Sequence, residues 1–243
     1  MGSVKQFFSD LFAIVFMGVG ISTTRMKQKK LDLRKLASNA DHGSGESRVA
    51  GDRWILVNRA ASSVEYRNQH AVRLDSRPGA GLAWVEGLRF SVGKIDLNIA
   101  AVKQDVGIAF HVRNEREFEA ICFHVGNEAQ DEGESQRVIV RYLSTGADRN
   151  ANHEAQFDLP YSQSGEWFKV RITISKEVTA VFISGGNIPI LSVNASGGGE
   201  VYGSVGLWIG PGSSALVADF RIHEVRGNIE KQIRSIMGRN PGG

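Results

Sequence analysis

A chain of 243 residues with 42% hydrophobic and 23% charged residues has enough apolar material to bury a proper core, as one large domain or two small ones. Its formal charge of +3 is too small to point to a nucleic-acid partner, and the central region has no basic stripe interleaved with aromatics. A single cysteine, Cys122, excludes a disulfide within the chain and a cysteine-based zinc site.

The N-terminal residues read as a separate segment. Lys5 precedes an apolar run from Leu11 to Ile21, which ends in small residues at Gly20 and Ser22. Residues 1–24 therefore read as a signal-like or membrane-anchoring segment, forming a short apolar helix. Eleven apolar residues are short for a membrane-spanning helix, and Asp10 interrupts the stretch. Six cations follow closely (Arg25, Lys27, Lys29, Lys30, Arg34 and Lys35), and such charge tends to hold its side of a membrane in the cytoplasm. The expected location is outside the cytoplasm, extracellular or periplasmic, or membrane-anchored through this segment. Residues 25–51, basic and then polar, read as a linker.

From Trp54 onward the dominant signal is alternation with a period of two. Val106, Ile108, Phe110 and Val112 alternate with Gly107, Ala109, His111 and Arg113. Phe123 and Val125 alternate with Cys122 and His124; Val138, Val140 and Tyr142 with Arg137, Ile139 and Arg141. The series continues through Phe168–Ile174, Val181–Ile183, Val205–Ile209 and Phe220–Ile222. Gly is abundant (28) and Pro scarce (5), and glycine-rich turns such as Arg77-Pro78-Gly79 and Gly210-Pro211-Gly212 separate the runs. No helical period lies between them, which excludes parallel βαβ units. The pattern predicts an all-β, two-sheet antiparallel sandwich over residues 52–226. In the tail, 227–243, Ile229, Ile233, Ile236 and Met237 recur at helical spacing, and a short helix or packed tail is expected.

The order of motifs is also familiar. An opening Trp54 strand is followed by Leu88-Arg89-Phe90 and by Gly93-Lys94-Ile95-Asp96-Leu97-Asn98-Ile99. Then come Gly107-Ile108-Ala109-Phe110, Glu166-Trp167-Phe168-Lys169-Val170 and Gly203 to Gly210 (GSVGLWIG). This order resembles the concanavalin A-like lectin/glucanase superfamily, in particular its laminin-G-like and keto-disaccharide-hydrolase-like branches, over about Trp54 to Arg226. The resemblance implies a jelly-roll topology and a glycan or protein ligand on the concave sheet. It also implies a structural calcium ion, for which Asp219 in the last strand is the first candidate ligand; no other cofactor is expected.

Alternation puts His111, Arg113, His124 and Arg141 away from the core, and neighbouring strands would gather them on one sheet surface. Trp208, opposite core-directed Leu207 and Ile209, is expected to face outward there as a stacking platform. Such residues donate hydrogen bonds to hydroxyls and pair with acidic groups. Retaining glycosidases need two carboxylates about 5 Å apart. Glu115, Glu117 and Glu119 flank a turn, and Asp131, Glu132 and Glu134 fall in a polar stretch, so neither set reads as that pair. The sequence thus predicts a non-catalytic carbohydrate-binding or interaction domain. A hydrolase or lyase acting on a glycoside or keto-sugar derivative, with His111 or His124 as base, is the first alternative. A structural adhesion domain without a small ligand is the second.

Overall fold

The structure is a computed structural model that describes residues 26–38, 52–125, 136–145, 153–159, 166–194 and 201–225. The chain divides into two compact units. One comprises residues 1–27 and 225–243; the other, Gln28–Glu224, is the sandwich. The expected N-terminal apolar helix, the expected helix or packed tail of 227–243 and the Asp131, Glu132 and Glu134 cluster lie outside the described residues.

Fourteen strands and one short helix are described: β1 (Met26–Lys30), α1 (Leu33–Ser38), β2 (Trp54–Val57), β3 (Ala61–Tyr66), β4 (Gln69–Leu74), β5 (Gly81–Val85), β6 (Gly93–Asn114), β7 (Glu117–Val125), β8 (Gln136–Ser144), β9 (His153–Leu159), β10 (Phe168–Ile174), β11 (Val178–Ile183), β12 (Leu191–Asn194), β13 (Ser204–Ile209) and β14 (Ser214–Val225). Every registered pairing between them is antiparallel. Sheet I runs β12-β11-β10-β6-β14-β4-β3, with β1 also beside β14. Sheet II runs β9-β8-β7-β6-β13-β5-β2. The 22-residue β6 belongs to both: its first half, to about Ala100, lies between β10 and β14, and its second half between β7 and β13. This is the predicted two-sheet jelly-roll sandwich.

Period-two alternation becomes one shared core. Ile95, Leu97 and Ile99 of β6, Val170 and Ile172 of β10, and Phe220 of β14 are buried from sheet I. Val106, Ile108 and Phe110 of β6, Phe123 of β7 and Val140 of β8 come from sheet II. Phe123 meets Phe168 edge-on at 6.1 Å between ring centroids. Each such side chain, fully withdrawn from water, contributes about 1.5–3 kcal/mol. The β3–β4 hairpin turns on Arg67-Asn68, both at positive φ (46° and 60°), the type I′ geometry whose twist matches its strands.

Two features depart from the sequence reading. Part of the expected 25–51 linker is structured: β1 edges sheet I, and α1 begins behind Asp32, whose Oδ1 accepts the Arg34 amide at 3.1 Å as a helix cap. Leu31, Leu33 and Leu36 are buried in the core, a contribution hidden by the polar residues around them. Arg59 is also buried, with no carboxylate partner among the described residues. Its guanidinium instead donates to the carbonyls of Gly79 (3.0 Å), Ile209 (2.9 Å) and Gly210 (2.6 Å), stapling the β4–β5 loop to the end of β13. Burial and the nearby Arg77 both pull its pKa down.

Candidate functional site

Sheet II has a second face, turned away from the shared core. Pairing registers align Glu154, Arg141, Cys122, Gly107, Trp208 and Leu82 in one row across six strands. A parallel row holds Leu143, Ala120, Ala109, Gly206 and Trp84. On the other side of the first row, Ile139 pairs with His124, and His124 with Asp105. The floor is thus made of small residues, with tryptophans toward one side and ion pairs toward the other.

The small residues are what let the tryptophans sit there. A Cβ on Gly107 would lie 3.3 Å from Trp208 Cε3 and 3.1 Å from Cys122 Sγ, so the indole edge occupies the space of the missing side chain. Gly206 is more tightly placed: a Cβ there would stand 2.0 Å from the Ala83 carbonyl oxygen and 2.8 Å from Trp84 Cα. Trp84, Trp208 and Leu143 pack, half-buried, against Leu82, Ala109, Val112, Phe118, Ala120 and Cys122. This outer apolar cluster is separate from the main core.

Two hydrogen-bonded pairs, each of a basic side chain and a carboxylate, complete the face. His124 Nδ1 is 2.9 Å from Asp105 Oδ1. With its Nδ1 proton donated to the carboxylate, the ring leaves Nε2 without a partner among the described residues. Arg141 Nε donates to Glu154 Oε2 at 2.8 Å. Cys122 lies between these pairs. Burial, with the nearby Asp105 charge, pushes its thiol pKa far above the ordinary range against the smaller pull of Arg141. It remains protonated and serves as floor, not as a nucleophile. Asp105 and Glu154 stand three strand spacings apart, about 14 Å.

Of the five expected ligand-binding residues, the structure brings His124, Arg141 and Trp208 to this face and separates the other two from it. His111 sits at a β-bulge, where the registers of β6 with β7 and with β13 both slip and its own φ is +50°. The bulge reverses the alternation. Val112, expected inside, joins the outer cluster, while the His111 ring packs near Phe90 and Phe110 with its side chain 10% exposed. Both ring nitrogens are engaged, Nδ1 with Glu119 Oε1 (3.2 Å) and Nε2 with the Ser91 carbonyl (2.9 Å). Tyr142 donates to the other Glu119 oxygen at 2.8 Å. His111 is thus part-buried and turned away from this face. Arg113 lies beyond the bulge, exposed at the β6–β7 hairpin and paired with Glu117.

Asp219, the expected calcium ligand, is found paired with cations. Asp219 lies at a second bulge, φ +52°, in β14. Its Oδ1 accepts from Arg221 Nε (2.9 Å) and pairs with Lys30 Nζ (3.1 Å). A calcium ion there would face two cations, so the residues present do not fit one. Among the described residues, no group of three histidine, cysteine or acidic side chains is arranged to hold a metal. Asp105 and Glu154 are the functional-face residues that sequence reasoning passed over; only the pairing register puts them beside His124 and Arg141.

No family model matches the chain, and no curated protein matches it. Solved structures do resemble it. A Bacillus subtilis protein of unknown function with a galectin-like fold is 13% identical, covering 83% of this chain and all of that one, with a TM-score of 0.49. The carbohydrate-binding module CBM66 from Bacillus subtilis is 10% identical over 70% of this chain and 94% of its own, with a TM-score of 0.47. The Ca2+-bound VIP36 exoplasmic/lumenal domain is 13% identical over 85% and 94%, with a TM-score of 0.48. In class, the chain is an antiparallel two-sheet jelly-roll sandwich. The outer face of its sheet II carries indole rings at one side of a small-residue floor and carboxylate-paired His124 and Arg141 at the other.

Proposed function

We propose that the outer face of sheet II binds a glycan without cleaving it. The observation that carries this reading is the single register row that sets Trp208 and Arg141 on either side of Gly107 and Cys122. A pyranose has an apolar C–H face and a rim of hydroxyls. The Trp208 ring suits the first, while the Arg141–Glu154 and His124–Asp105 pairs offer donors and acceptors to the second. The Arg141–Glu154 pair is neutral as a unit, which suits contact with uncharged hydroxyls.

The test is a glycan array probed with wild type and a His124→Ala/Arg141→Ala double variant. Retention of a glycan by wild type, with loss in the variant, is expected. If wild type retains none, the domain is an adhesion module without a small ligand. One observation favours a second reading: the Asp105–His124 pair leaves an oriented Nε2 that could take a proton, as a hydrolase or lyase would require. Product analysis after incubation with keto-glycosides and β-glucans decides it; turnover abolished by His124→Ala replaces binding with catalysis.

A further inference from the structure

The outer face of sheet I has a different chemistry. Register pairs Arg171 with Asp96 and Asp96 with Arg221 across β10, β6 and β14. One step along, Lys94 is opposite His223; one step the other way, Lys169 is opposite Asn98. Lys30, reaching Asp219, extends the group. These five cationic side chains, with exposed Arg73 opposite Leu216 on the same side, share a surface with Asp96 and Asp219.

The two acids are already engaged. Asp96 is buried and accepts from Arg171 Nε at 2.8 Å, with His223 Nε2 at 3.4 Å from its other oxygen. Asp219 is held by Arg221 and Lys30. The cationic heads remain in water: the side chains of Arg171, Arg221 and Lys30 are 43%, 40% and 66% exposed, and Lys169 is exposed. Lys94 has its pKa lowered by desolvation and by Arg171, against the opposing pull of Asp96.

We propose that this face docks on an anionic membrane surface, with lipid phosphate and carboxylate headgroups as counter-charges. Charge complementarity requires an anionic partner, and a sheet face presents its cations side by side toward a plane. The covalent arrangement favours a membrane over a soluble polymer. The apolar run ends at Ile21, nine residues before Lys30, so the linking chain reaches at most about 30 Å. An apolar segment followed by clustered cations is the combination that adsorbs to anionic bilayers.

The experiment is co-sedimentation of the full chain with phosphatidylcholine vesicles, with and without phosphatidylserine, at low and at physiological salt. The expected result is binding that requires phosphatidylserine and weakens with salt. Lys169→Glu should reduce it about tenfold and Lys169→Gln by a smaller factor, because each juxtamembrane charge contributes several-fold. Arg116→Glu, the same charge change at the distant β6–β7 hairpin, should leave it near wild type. Thermal melting of each variant verifies folding. Equal binding to phosphatidylcholine alone, or equal losses in the Lys169 and Arg116 variants, overturns the proposal. So does dextran sulfate binding without vesicle binding, which would assign the face to a soluble acidic polymer.

Discussion

The two outer faces of the sandwich share β6 as a central strand, yet they solve the problem of an exposed sheet surface in opposite ways. Sheet I covers its face with long cationic side chains whose stems lie over the sheet and whose heads reach water. Sheet II keeps its floor small, with Gly107, Ala109, Ala120, Cys122 and Gly206, and closes it with indoles and paired charges. The first surface is built for a long-range, salt-sensitive attraction, the second for close contact with a shaped ligand. Sharing a backbone strand imposes no chemistry, because alternation hands the two faces to different sets of side chains.

The largest perturbation removes what both faces stand on. Phe123→Ala deletes a fully buried ring wedged against Phe168 and should cost about 3–5 kcal/mol, lowering the melting temperature by roughly 10 °C by differential scanning calorimetry. Glycan and vesicle binding should then fall together on warming. Gly206→Ala separates them. Its Cβ collides with the β5 backbone and not with a flexible side chain, so β13 and β5 must part, at about 2–4 kcal/mol. Below the melting transition, glycan binding should be lost while adsorption to anionic vesicles persists. Loss of both would mean the faces are coupled.

Much of this contrast was legible in the sequence, because alternation needs only the identity of successive residues. The core positions of β6, β8, β10 and β13 follow from it directly. It failed at His111, where a non-glycine residue takes positive φ and a bulge reverses inside and outside. Nothing in the local sequence marks that bulge. Register was equally hidden. Alternation alone turns His124 outward, but its partner Asp105, nineteen residues away, emerges only once β6 and β7 are paired.

A smaller effect tests the sheet II face alone. Trp208→Ala removes a half-buried indole lying over Gly107 and should weaken glycan retention about tenfold, roughly 1.4 kcal/mol, with little change in melting temperature. Isothermal titration with the array-selected glycan measures it. An unchanged affinity would move the ligand away from the indole.

The smallest effect belongs to sheet I, and its two consequences have opposite signs. Burial pushes the Asp219 pKa up, but hydrogen bonds from Arg221 and Lys30 outweigh this and hold it below its ordinary 3.8. The folded chain therefore gives up this proton more readily than the unfolded one. The associated stabilisation is fully present above pH 3.8 and is lost as pH falls through the lower folded value. Asp219→Asn, which also tolerates positive φ, should cost only a few tenths of a kcal/mol near neutral pH, because its cationic partners are largely in water. Compared with wild type, that deficit should shrink on acidification in urea-melt midpoints. Yet the same substitution removes one of the two carboxylates from the cationic face, so adsorption to phosphatidylserine vesicles should strengthen a few-fold as stability slightly falls. A variant that lost both together would show that Asp219 orders the face instead of merely offsetting its charge.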